Sequence, residues 1–150
     1  MTATQSKGRI QINPGGSSPK ALGSYSHAIQ VGAIVFVAGQ GCRDAKSGIE
    51  AGIIIDEAGK VTSYDIEVQT RGVIKNLETV LLAAGLTLAD VIDATVFLKN
   101  MSDFEKYNKV WSEFFTSECP PARTTVGVAD LPGRNYIEIK AIAQAKETKE

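Results

Sequence analysis

A single histidine, His27, and two cysteines, Cys42 and Cys119, are the only imidazole and thiol groups in this chain of 150 residues. The cysteines have no CxxC spacing and no histidine cluster beside them, so they read as a reduced pair of small, semi-apolar residues. A His/Cys metal site is excluded on that basis, and so is a Ser–His–Asp triad centred anywhere but on His27. No metal and no cofactor are expected. An excess of charge is missing too. Lys and Arg number 16 against 17 Asp and Glu, a formal net charge of −1, with no basic run and no basic–aromatic interleaving. A phosphate backbone needs a clustered positive surface, so nucleic acid is not an expected partner. No apolar stretch reaches the roughly 18 residues of a membrane span, and the N-terminus lacks a charged-then-apolar signal pattern. The expectation is a cytoplasmic protein without a membrane partner.

What is present suits one soluble domain: 43% hydrophobic and 22% charged residues, in a length that buries a sizeable core. Residues 1–18 are polar and Gly-rich, ending in Asn13-Pro14-Gly15-Gly16-Ser17-Ser18, and read as a mobile or loosely docked arm ahead of a single domain over 19–150. Ile29 to Ala38 reads as two short strands around Gly32, the second apolar enough to be buried on both faces. Turn signals at Lys46-Ser47-Gly48 and Glu57-Ala58-Gly59 frame a hairpin excursion over Arg43 to Thr62.

At Asp65 the period changes. Val73, Ile74, Leu77, Val80, Leu81 and Ala84 recur at helical spacing, and Gly85 stands where a left-handed cap belongs, which predicts a helix over 65–84. Val91 to Lys99 reads as a strand with Ile92, Ala94, Val96 and Leu98 on one face. Ser102-Asp103-Phe104-Glu105 has the form of a capping box for a second helix, whose stripe is Phe104, Tyr107, Trp111 and Phe114 and whose stop is Pro120-Pro121. Two strands follow, Thr124 to Val128 and Tyr136 to Gln144. The sum is a two-layer α+β domain with both helices on one face of the sheet. Its other face is apolar but has no helix left to cover it, which predicts an oligomer.

Arg123 follows a rigid Pro-Pro-Ala and opens a β-branched run; Glu138 is the acidic residue in the Ile-x-Ile pattern of the next strand. Arg and Glu on neighbouring strands can grip a carboxylate and activate a water, although such a pair alone is more often a surface ion pair.

Ordered pieces along nearly the whole chain carry a resemblance. They are Gly23-Ser24-Tyr25-Ser26-His27-Ala28, Val37-Ala38-Gly39-Gln40, Asn76-Leu77, Ala83-Ala84-Gly85-Leu86, Thr95-Val96-Phe97-Leu98-Lys99-Asn100-Met101, Phe114-Phe115, Pro121-Ala122-Arg123-Thr124-Thr125-Val126 and Ile137-Glu138-Ile139. From Ser18 to Ala145 the chain resembles the reactive intermediate deaminase (Rid, YjgF-like) superfamily. The resemblance implies a chorismate-mutase-like fold and a homotrimer whose sheets form a central barrel with clefts between subunits. It implies hydrolysis of enamines or imines of small carboxylic acids, with no cofactor. Carried over, Arg123 binds the substrate carboxylate, Glu138 positions and activates water, Tyr25 lines the pocket and Gly39 offers a backbone contact; Thr125 and Asn108 join the binding set. Ala38, Thr125 and Lys140 depart from the usual pattern. The long segment with Gly41-Cys42-Arg43-Asp44 looks more like the 2-aminomuconate deaminase branch than the 2-iminobutanoate/2-iminopropanoate one. A small-carboxylate sensor, a protein-interaction trimer and a ribonuclease remain as other readings. Arg43 is a candidate for a second carboxylate, and Cys42 and His27 are candidates for the cleft border.

Overall fold

In the computed structural model, which describes residues 5–146, the change of period at Asp65 is the hinge of the architecture. Helix α1, Ile66–Ala83, starts where the Asp65 carboxylate accepts the backbone N–H groups of Glu67 and Val68, two donors that would otherwise have no partner. It ends at Gly85, φ +75°, where Gly85 N–H bonds to Leu82 O and Leu86 N–H to Leu81 O, a Schellman closure that needs a residue without Cβ strain. Val73, Ile74, Leu77, Val80 and Leu81 are fully buried along its inner stripe. Each such side chain contributes about 1.5–3 kcal/mol from burial.

That stripe covers one face of a seven-stranded sheet. The strands are β1 (Gln5–Ser6), β2 (Arg9–Ile12), β3 (Ala28–Val31), β4 (Ile34–Gln40), β7 (Val91–Leu98), β8 (Ala122–Gly127) and β9 (Ile137–Gln144). Their order in space is β1-β2-β3-β4-β9-β7-β8, and β7–β8 is the parallel pair, connected through helix α2, Phe104–Phe114. The excursion forms a separate ribbon of β5 (Ile53–Ile55) and β6 (Val61–Tyr64). Two helices on a mixed sheet are the expected two layers. Val35 and Val37 of β4 and Ile137, Ile139 and Ala141 of β9 face the helices and are buried. The opposite face is open in the single chain: Phe36 is 45% exposed and lies beside Ile29 and Ile142 in register. Strand β4 is therefore buried on one face here, not on both.

Other expectations need correction. The N-terminal stretch read as an arm is partly sheet, because Arg9–Ile12 pairs with β3 and Ile12 enters the core; Met1 to Thr4 lie outside the described residues. Ile92 is 43% exposed while Val91 is buried, because the register slips between Val91 and Asp93 and a one-residue slip exchanges faces. The capping box expected of Ser102 and Glu105 does not form: the cap of α2 is Asp103, whose side chain makes no cap bond. Its carboxylate instead accepts the Tyr64 hydroxyl at 2.7 Å, and α2 is entered through the short 3₁₀ turn Met101–Asp103. The second helix stops at Phe114, well before Pro120.

Candidate functional site

Strand β7 separates the two residues on which a site was expected to rest. Arg123 lies level with Ala94 of β7 on one side, and Glu138 lies level with Phe97 on the other. Strands about 4.8 Å apart and a rise of about 3.3 Å per residue put their backbones on the order of 14 Å apart. They also point to opposite faces. Glu138 alternates with buried Ile137 and Ile139, so it leaves the helix-covered side, whereas the Arg123 guanidinium packs on rings of α2. The expectation of neighbouring strands fails because β8 and β9 follow one another in sequence but not in space.

Around Glu138 there is a cleft of about 220 Å³, bordered by Tyr25, His27, Gly39, Gly41, Arg43 and Asn135, with Lys20 and Pro132 at its rim. A Cβ on Gly39 would sit 2.6 Å from Glu138 Oε2, so only glycine lets β4 pass this close to the carboxylate. The Glu138 carboxylate is half-buried and accepts no hydrogen bond among the described residues; burial holds it above the ordinary carboxylate value of 4.5. A carboxylate so placed is suited to take a proton. Tyr25 is 52% exposed, and its hydroxyl accepts Leu22 N–H at 3.0 Å, which ties the ring to the rim. His27 Nε2 is 2.8 Å from Pro19 O and holds the same rim from below.

The cleft wall is fixed by amides that the sequence reading missed. Asn76 of α1 donates to the carbonyls of Gly41 and Arg43, each at 2.9 Å. Asn135 Oδ1 accepts Cys42 N–H at 2.8 Å and lies 3.2 Å from Cys42 Sγ, and Asn135 Nδ2 donates to Pro132 O. Gln69 spans the final loop, donating to Arg134 O and accepting Tyr136 N–H. The available signal was a polar residue on the buried stripe of a helix, since Gln69 is fully buried. Cys42 itself is behind the wall, 2% exposed, and burial pushes its thiol up to about 12, which removes it as a nucleophile.

The remaining residues of the expected set lie elsewhere. Arg123 rests 5.0 Å from the Trp111 ring centre, 5.3 Å from Tyr107 and 5.9 Å from Phe104. The aromatic stripe of α2 thus seats a guanidinium, which joins no ion pair among the described residues. Thr125 shares this side of β8 and its hydroxyl bonds to that of Tyr107. Asn108, next on α2, is half-buried, and its carbonyl accepts the Ser112 hydroxyl. None of Arg123, Thr125 or Asn108 borders the Glu138 cleft. One chain therefore holds two partial sets: Tyr25, Gly39 and Glu138 in a cleft, and Arg123, Thr125 and Asn108 on the β8–α2 flank.

With this geometry in hand, comparison with known proteins is informative. The family model described as Endoribonuclease L-PSP matches residues 15–145. A RutC family protein of Pyrococcus horikoshii is 44% identical over 127 residues, which cover 85% of this chain and 91% of that protein. The 2-iminobutanoate/2-iminopropanoate deaminase of Salmonella typhimurium is 35% identical over 129 residues, 85% of this chain and 91% of the deaminase. The crystal structure of Escherichia coli TdcF with bound serine superposes with a TM-score of 0.77 at 30% identity, covering 91% of this chain and 98% of that one. Its fold is shared. No described helix is long and apolar enough to cross a membrane.

Proposed function

The chain belongs to the reactive intermediate deaminase (Rid, YjgF-like) family, and on that premise we propose that it hydrolyses enamines or imines of small carboxylic acids and releases ammonia. The observation that carries this reading is the division of the candidate residues between two patches of one chain. A site that uses all of them is complete only where the β8–α2 flank of one copy meets the Glu138 cleft of another. The open sheet face, with Phe36, Ile29 and Ile142 in register, supports association of copies, and the trimer implied by the family provides the arrangement.

In that arrangement Arg123 holds the substrate carboxylate through two parallel N–H donors. Its seat on three rings fixes the plane of the guanidinium before substrate arrives. Glu138 of the facing copy, ionised, takes a proton from water while the water oxygen bonds to the imine carbon and the C=N electron pair moves to nitrogen. The proton then passes to nitrogen. In the resulting carbinolamine the hydroxyl proton is relayed through Glu138 to the amino nitrogen, the C–N bond breaks as the C=O bond forms, and ammonia leaves with the 2-oxo acid as the other product. An enamine joins the sequence after protonation at carbon. Nothing is oxidised or reduced, and the imine carbon is electrophilic from the start, so orientation and proton movement suffice without a cofactor.

The test uses two inactive chains. Arg123→Ala keeps Glu138, and Glu138→Gln keeps Arg123; each alone should release little ammonia from 2-iminobutanoate generated in situ. Co-expressed, they should regain activity, because random pairing makes about a quarter of two-copy sites whole. Mixed assemblies, verified by native mass spectrometry, that stay inactive would overturn the site between copies. A second reading is favoured by the bound serine in the TdcF structure. It makes this chain a sensor that binds a small carboxylate. A parent protein that binds carboxylates but releases no ammonia would select it.

A further inference from the structure

Arg43 borders the same cleft as Glu138 and is not used by the chemistry above. It stands at the start of the excursion, four residues beyond Gly39, so its backbone lies at most about 13–14 Å from the point where the Glu138 carboxylate touches β4. Its guanidinium gives one N–H, from Nη2, to the carbonyl of Lys20 at 2.5 Å, and no other hydrogen bond from it is formed among the described residues. Four donors therefore remain. The ion pairs among the described residues engage Arg71, Lys99 and Lys109, not Arg43 or Lys20. Glu50, paired with Arg43 across the backbone bridge, turns its carboxylate to Arg134 N–H at 3.0 Å instead. The backbone under Arg43 is held rigidly, since Asn76 binds its carbonyl.

The charge balance of the cleft follows. Lys20 and Arg43 oppose Glu138, and in the assembly proposed above Arg123 of the facing copy adds another positive charge. A substrate with one carboxylate satisfies Arg123 and leaves Arg43 facing an empty end. A substrate with a second carboxylate satisfies both ends. We propose that Arg43 binds this second anionic group, so that the cleft prefers dianionic imines or enamines, with the reacting carbon held between two carboxylates. This inference rests on the deaminase reading for its chemistry, though not for its binding.

The experiment uses the intact oligomer and two imines of matched reactivity generated in situ, 2-iminobutanoate with one carboxylate and 2-iminoglutarate with two. The readout is the ratio of their kcat/KM values. The wild type should favour the dianion, and Arg43→Gln should lower the ratio by about 10–100-fold, the worth of a sheltered charge-assisted contact. Arg43→Lys should recover part of it, because the charge persists while the planar fork is lost. A clamp role at Lys20 O alone would slow both imines alike and leave the ratio unmoved. An unchanged ratio in Arg43→Gln, or a wild type without dianion preference, overturns the proposal while leaving the deaminase reading in place. If the wild type turns over neither imine, the deaminase reading fails. Calorimetric titration with glutarate and butanoate then decides the binding claim, which stands only if glutarate binds more tightly and Arg43→Gln removes the difference.

Discussion

The cleft around Glu138 and the flank around Arg123 hold their charges by opposite means. In the cleft a carboxylate sits half-buried with no hydrogen-bond donor among the described residues, beside a glycine that cannot carry a side chain, inside a wall pinned by Asn76, Asn135 and Gln69. On the flank a cation lies on an edge strand against three rings. The first environment raises the energy of the charge and makes it ready to accept a proton. The second fixes the direction of the charge by seating the guanidinium on the rings. A general base needs the former and a carboxylate clamp the latter.

Substitutions sharpen this contrast, the largest effect first. Glu138→Gln keeps shape and hydrogen bonding but cannot take a proton at neutral pH, and ammonia release should fall about 10²–10⁴-fold with carboxylate binding retained. Equal rates for variant and parent would remove Glu138 from the chemistry. Gly39→Ala places a methyl where the carboxylate now is, 2.6 Å from Oε2, and should cost on the order of 10²-fold in kcat through displacement of Glu138. Calorimetric carboxylate titration should change less than kcat, and loss of binding alone would place Gly39's role with the substrate rather than with Glu138. Arg123→Lys loses the planar fork and the stacking, so kcat/KM should fall about 10-fold or more while the thermal midpoint barely moves. Full activity in this variant would break the comparison, because a point charge would then serve as well as a fixed plane.

A pH profile sharpens it differently. The base works ionised, and burial raises its pKa in the folded protein, so activity should be lost as pH falls through a value above 4.5. That acid limb should be missing from the residual activity of Glu138→Gln. The smallest effect is one of stability. Asp65→Ala leaves two N–H groups at the start of α1 without their acceptor and should lower stability by about 0.5–2 kcal/mol, read by denaturant unfolding, with no change in the acid limb.

Helices and strands were legible in the sequence because each repeats a pattern over several turns or residues. Gly85 and Asp65 announced the limits of α1, and the Ile-x-Ile pattern around Glu138 marked the strand that forms β9. Features that depend on one residue or on distant pairing were not legible. The slip at Ile92 leaves no mark in composition, and α2 has Asp103 at its cap position in place of the expected Ser102 box, with the Asp103 carboxylate bound to Tyr64, which lies on β6, 39 residues earlier in the chain. The separation of Arg123 from Glu138 is of the same kind. Nothing local to β8 or β9 says that β7 lies between them, since strand order is decided by a parallel crossover through α2. The amides of Asn76, Asn135 and Gln69 hold loops that sequence patterns describe only as turns.

The position of Cys42 has a use of its own. Thiol reagents attack the thiolate, and at pH 8 a thiol held near 12 supplies about one part in 10⁴ of it, behind a wall that leaves 2% of the residue exposed. Cys119 is exposed and should react at once. The delay before the second label reports how often the segment bearing Gly41 and Arg43 lets go of Asn135 and Asn76. Ligands that bridge the cleft should lengthen that delay, so the chain carries a clock for the opening of its own wall, readable by mass without any assay of turnover.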